Sequence, residues 1–216
     1  MTRRILSLLL FSLFLMSASA FAQNDLALSI GGTFTPDATA TGNLATNCAL
    51  NPANCSTIKT SSKTSYEATL SLRLIGAKAA SISLELPLMG VPARTVSSTT
   101  TTLPVPRDFS SFFFTPSIRF RVLSTAGISP FVSVGAGFAH FGESKLLTNF
   151  TTSILSTGTN TTAFQVGGGV DLKTPIPHLG LRGEVREFLT GHPTSGVNFS
   201  SRQQNLFVGG GVVLRF

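Results

Sequence analysis

The stretch LGLRGEVREFL, residues 179–189, alternates with a period of two. Leu179, Leu181, Gly183 and Val185 share one side, and Arg182, Glu184 and Arg186 share the other. A helix would scatter these residues around its circumference, whereas a strand sorts them into two faces. One face is apolar and the other carries three long charges. Which face meets solvent decides the fold.

The same test succeeds at seven other places. DLALSIGGTF (25–34) sets Leu26, Leu28, Ile30 and Phe34 against Ala27, Ser29, Gly31 and Thr33. TSYEATLSLRLIG (64–76) sets Tyr66, Ala68, Leu70, Leu72 and Leu74 against Glu67, Thr69, Ser71 and Arg73. SISLELPLMG (81–90) opposes Ile82, Leu84, Leu86 and Leu88 to Ser83, Glu85 and Pro87. FFFTPSIRFRV (112–122) opposes Phe114, Pro116, Ile118, Phe120 and Val122 to Thr115, Ser117, Arg119 and Arg121. FVSVGAGFAHF (131–141), AFQVGGGVDLK (163–173) and NLFVGGGVVLRF (205–216) repeat the pattern with more glycine. Asp171 and Arg215 fall on the polar faces of the last two.

Eight segments of about ten residues have the length of tilted strands crossing a bilayer. Their connections alternate. Short turns lie around Ala77–Ala80, Thr125–Pro130 and Pro175–His178, and long Ser/Thr/Asn-rich stretches join the other pairs. The long stretches cover residues 37–63 and contain SSTTTTLPVP (97–106), LLTNFTTSILSTGTN (146–160) and TSGVNFSSRQQ (194–204). An even strand count with short turns at one end and long loops at the other predicts an all-β fold, an eight-stranded antiparallel up-and-down transmembrane β-barrel.

Composition supports lipid over water on the apolar face. Only 12% of the 216 residues are charged, against about a quarter in soluble domains, and the mean hydropathy is +0.32. A soluble barrel of lipocalin type would expose a Lys- and Glu-rich face, but here the polar face is mostly Gly, Ser and Thr. The charges Glu67, Arg73, Glu85, Arg119, Arg121, Asp171, Arg182, Glu184, Arg186 and Arg215 are therefore expected in the lumen as a paired network, since an unpaired buried charge is costly. Gly167, Gly169, Gly209 and Gly211 would make room beside the long side chains of 179–189. Closure pairs the last strand with the first, because lipid leaves no backbone group to water. Aromatic girdles are expected at Phe120, Phe131 and Phe216 on one side, and at Phe34, Tyr66, Phe114, Phe138 and Phe164 on the other.

The N-terminus reads differently. Arg3 and Arg4, the apolar run Ile5–Met16 and small residues ending Ala20-Phe21-Ala22 read as a secretory signal over 1–22, cleaved after Ala22 or Ala20. That leaves 23–216 as one barrel domain with 14 basic and 9 acidic residues, spread without the patch that nucleic-acid binding needs. Cys48 and Cys55, within CALNPANC, read as one disulfide in an exported chain, with two free thiols as the alternative.

At this point the sequence resembles the small eight-stranded outer-membrane barrels, the family of the OmpA transmembrane domain, OmpX and the opacity-type adhesins. The resemblance rests on the strand pattern, the charged strand LRGEVREF and the strand ending in Phe216. It implies a bacterial outer-membrane location, contact with lipid and lipopolysaccharide, and a monomer. It also implies that Gly211, Leu214 and Phe216 serve as a signal read by the barrel-assembly machinery, with Gly209 standing where a polar residue is common.

Chemistry is sparse. His140 with Glu143 and Ser144, and His192 with Ser195, lie near the outer rim, where small barrel enzymes that trim lipid A place a Ser/His/acid set. No motif of such enzymes accompanies them, and Ser is abundant throughout. His178 lies in a turn and reads as structural. The repeated VGGGV at Val166 and Val208 lacks the following helix that a phosphate loop requires. Lys59, Lys63, Arg94, Arg107, Lys145 and Arg202 are assigned to the loops, where they could bridge lipopolysaccharide phosphates or an acidic extracellular ligand. The expectation is a non-enzymatic barrel without cofactor or metal, displaying loops for envelope integrity, adhesion or surface recognition. A narrow solute channel and a lipid A-modifying enzyme are the rivals.

Overall fold

The computed structural model describes residues 24–36, 38–41, 55–77, 79–98, 108–123, 127–143, 158–191, 198–199 and 203–216. Their strands are β1 (Asp25–Phe34), β2 (Ala38–Thr41), β3 (Cys55–Thr60), β4 (Lys63–Gly76), β5 (Ala80–Ser98), β6 (Asp108–Phe114), β7 (Ser117–Val122), β8 (Ile128–Glu143), β9 (Thr159–Lys173), β10 (Leu179–Thr190), β11 (Asn198–Phe199) and β12 (Gln203–Arg215). β1, β4, β5, β6 with β7, β8, β9, β10 and β12 form eight staves, each antiparallel to its neighbours. β1 pairs β12 from Asp25↔Arg215 to Phe34↔Leu206 and closes the wall. The closure is sealed at its lower edge, where Asn24 N–H donates to Phe216 O at 2.9 Å and Phe216 N–H donates to Asn24 O at 3.0 Å.

The sixth and seventh elements are one stave interrupted at Thr115–Pro116. Pro116 has no N–H to give the ladder. The pairing with β8 nevertheless resumes in the same register, Phe114↔Phe138 above and Ser117↔Gly135 below. Two true irregularities occur elsewhere. Leu74 is an extra residue between Arg73↔Ser83 and Ile75↔Ile82, and Pro92–Ala93 stand as a bulge between Val91↔Ser111 and Arg94↔Phe109.

The alternation seen in the sequence sorts the side chains as expected. Leu28, Ile30, Val132, Val134, Phe164 and Val185 point outward and are exposed, Val134 by 64%. In water such an unbroken apolar belt would be costly; around a closed barrel it is a surface for lipid. Ala27, Ser29, Glu67, Glu85, Arg119 and Arg186 point inward and are buried. Several staves exceed ten residues, up to the 19 of β5, so the wall continues beyond the belt. Residues 37–63, assigned to a loop above, contain β2 and β3. These pair with each other, with β11 and with the end of β5, extending the wall at the long-connection end.

Three of the turns at the other end are short, as the sequence indicates. His178, at φ 65°, ties one of them to the closing strand. Its Nδ1 lies 2.8 Å from Arg215 O, and its own carbonyl accepts from Arg215 N–H at 2.8 Å. That bears out a structural role for this histidine.

Candidate functional site in the barrel lumen

Eight staves enclose a lumen only wide enough for side chains, so its contents decide what can pass. From the short-turn end upward the first layer is ionic. Arg186 touches three carboxylates, with Nε 3.1 Å from Glu67, Nη1 3.3 Å from Glu85 and Nη2 2.9 Å from Glu184. Glu85 also meets Arg119 at 3.1 Å and Arg182 at 3.8 Å. Arg182 holds Asp171 with two bonds, Nε–Oδ1 at 2.8 Å and Nη2–Oδ2 at 3.1 Å. Arg121 joins Asp171 at 3.4 Å and also pairs with Asp25, which Arg119 reaches at 3.0 Å.

All these groups are almost fully buried. Burial of this kind is tolerated only when charges are paired and further hydrogen bonds fill the remaining valences. Hydroxyls do that here. Ser29 donates to Glu184 at 2.7 Å and Thr69 to Glu67 at 2.6 Å. The Phe131 ring faces two guanidinium groups, with Arg182 at 4.8 Å and Arg119 at 5.3 Å from its centroid, a geometry in which the ring quadrupole attracts the cations.

Glycines make this layer possible. Glu184 lies between Gly169 and Gly209, and Arg186 lies beside Gly167. A Cβ at Gly167 would sit 2.9 Å from Arg186 Cγ, and one at Gly169 would sit 2.8 Å from the Phe131 ring.

Above the ions sits an apolar plug. Phe113 packs on Phe188 at 4.8 Å between centroids and edge-on to Phe141 at 6.0 Å. Met89, Val91 and Phe207 complete a fully buried cluster with them. Higher still, Arg94 is buried and donates to Thr35 at 2.6 Å, Ser111 at 3.2 Å and Asn205 Oδ1 at 3.3 Å.

Eight of the ten charges expected in the lumen, Glu67, Glu85, Arg119, Arg121, Asp171, Arg182, Glu184 and Arg186, join the network, while Arg73 and Arg215 stand half-buried at its lower mouth. Several expectations are corrected. Lys59 and Lys63 stand on β3 and at the start of β4 rather than in loops. Phe131 does not belong to an interface girdle but points inward among the arginines. Arg94 is not a loop residue: the Pro92–Ala93 bulge flips the phase of β5 and turns it into the lumen. Asp25 and the aromatic plug were missed. Asp25 sits at the first position of β1, where a charge reads as a strand flank, and Phe113, Phe141, Phe188 and Phe207 occupy the face read as polar.

His140 lies on the outward face and its Nδ1 is 2.7 Å from Asn160 Oδ1. Ser144, His192, Ser195, Arg107, Lys145, Arg202, Cys48 and the 1–22 signal lie outside the described residues, as do the side chains of Glu143, Cys55 and Lys59.

No protein-family model and no curated protein matches the chain in sequence. Solved structures do match in shape. The outer membrane protein OprG from Pseudomonas aeruginosa is 12% identical with a TM-score of 0.59, covering 90% of this chain and 96% of its own. Neisserial surface protein A is 11% identical with a TM-score of 0.52, covering 90% and 97%. The outer membrane protein AlkL, solved in lipid bilayers, is 14% identical with a TM-score of 0.51, covering 91% and 92%. By fold the chain is a small eight-stranded barrel of the outer-membrane type, and its apolar belt suits that setting.

Proposed function

We propose that the chain is a non-enzymatic, monomeric outer-membrane barrel whose rigid wall presents its long outer segments to the exterior, for envelope integrity, adhesion or surface recognition. The supporting observation is the filled lumen. The ionic layer is capped by the Phe113–Phe141–Phe188 cluster, and both occupy a cross-section with no width to spare. A barrel sealed twice offers its wall and its outer segments to partners rather than its interior. Lipid and lipopolysaccharide surround the belt, and the barrel-assembly machinery would read Gly211, Leu214 and Phe216.

Planar-bilayer recording tests this reading: the purified barrel should give no steady ohmic openings, and such openings would establish the channel instead. Lipid A from cells with and without the gene should have identical acylation by mass spectrometry, and altered acylation would establish an enzyme. Replacing residues 144–157 with a short Gly/Ser linker should leave a folded barrel while reducing cell-surface binding.

A further inference from the structure

The lumen is not electrically uniform. Toward the outer side, Glu67 and Glu184 gather on Arg186, and Glu85 is shared between Arg186, Arg119 and Arg182. Toward the short-turn mouth the balance reverses. Arg73, Arg121 and Arg215 surround that mouth together with Asp25. Asp25 uses Oδ2 for Arg119 and Arg121, and neither Arg73 nor Arg215 forms an ion pair with a carboxylate among the described residues.

Local geometry aims these groups into the mouth. The Leu74 bulge lets Arg73 keep the inward phase and then brings Gly76 opposite Ser81. Arg73 folds over that glycine, since a Cβ there would meet its Cδ at 2.9 Å. Ser81 in turn pairs with Arg121 across β5 and β7. On the other side Arg215 leans over Gly180, whose Cβ would lie 3.3 Å from Nη2. Asp25 stands opposite Arg215 on one side and Ser71 on the other, and Arg73 is the next inward residue of β4 toward the mouth.

Several polar atoms at this mouth are buried and unpartnered. Ser81, 2% exposed, has no partner for Oγ; Arg121, 3% exposed, has none for Nε; Arg215 has none for Nε; and Asp25, 2% exposed, has none for Oδ1. Buried donors left this way cost free energy unless something fills them. Three guanidinium groups and a hydroxyl present donors to an oxyanion, and arginine forks suit tetrahedral oxyanions. A free carboxylate oxygen beside them asks for a donor instead. An oxyanion carrying its own O–H satisfies both, while a fully ionised one leaves Asp25 Oδ1 facing another negative oxygen.

We infer that the short-turn mouth of the barrel is a binding site for a phosphomonoester in its monoanionic form, held by Arg73, Arg121, Arg215 and Ser81 through its unprotonated oxygens and by Asp25 through its P–OH, with a proton taken up from water where the free ester is the dianion. Free phosphate and the headgroup of phosphatidic acid share this chemistry. A phosphodiester lacks the proton and is excluded.

Isothermal titration of the detergent-refolded barrel with inorganic phosphate tests the site. Saturable binding is expected, at least tenfold tighter than sulfate. Arg73→Gln and Arg215→Gln should each weaken it at least tenfold. Lys63→Gln, which removes one positive charge at the exposed start of β4 at the opposite end, should leave it unchanged. Refolding from urea in detergent bypasses the assembly machinery, so Arg215→Gln can be measured even if it assembles poorly in cells. Equal affinity for sulfate, an equal loss in Lys63→Gln, or undiminished binding in the arginine variants would overturn the inference. In phosphatidylcholine vesicles, competition between phosphate and added phosphatidic acid, but not phosphatidylglycerol, assigns the lipid as the source. Phosphate binding indifferent to both lipids assigns the soluble ion.

Discussion

Arg186 shows how much one residue can carry in a lumen of this size. It meets Glu67, Glu85 and Glu184 at 3.1, 3.3 and 2.9 Å, so its removal strands Glu67 and Glu184 and leaves Glu85 to Arg119 and Arg182. Breaking one side of a buried pair costs about 3–5 kcal/mol, and Arg186→Gln should lower stability by at least that much in urea titrations of the refolded barrel. Adding Glu67→Gln to that variant should recover part of the loss. An unchanged midpoint in Arg186→Gln would mean that the network contributes nothing. Gly167 works from the opposite direction. A Cβ at that position would meet both Arg186 Cγ and Val185 O at 2.9 Å, one of them rigid backbone. Gly167→Val should therefore cost about 1–3 kcal/mol by overpacking, whereas Gly183→Val, where a Cβ has open space, should cost far less.

At the scale of the strand, the two faces answer to different solvents. Val134 is 64% exposed in the middle of β8, and Val134→Arg should cost about 2–4 kcal/mol in lipid. The same residue introduced at Ser61, exposed before the start of β4, should cost nothing measurable. Period-two alternation made this legible: the apolar and polar sets of 179–189 are the outward and inward sets of β10. It failed where the period itself breaks. Pro92–Ala93 shift the phase by one residue, so Arg94 cannot be placed by counting from Leu88. Phe131 was misplaced because its aromatic character suggested an interface, while its odd position, in phase with Ser133, put it inside. The phenylalanines of the plug were hidden for a related reason: a face read as polar in its lower half becomes aromatic in its upper half. The partners of each charge were not legible at all, since pairs such as Ser29–Glu184 and Arg119–Asp25 are set by a closed geometry that brings distant strands together.

For the whole molecule, closure predicts resistance to mild denaturation. Unboiled samples should migrate differently from boiled ones on a detergent gel, and identical migration would count against a closed barrel. The ionic layer adds a condition on how the barrel can form. Its carboxylates stand on β1, β4, β5, β9 and β10, and its arginines on β7 and β10. Half a barrel, taken from either end of the chain, would therefore hold charges whose counterions are still outside it. In hydrocarbon such an intermediate is heavily penalised. Pairing thus arrives only once β10, the stave before the closing strand, meets β4 and β5 across the lumen, and insertion and circularisation should share a single kinetic barrier, slowed by any substitution that unbalances the interior.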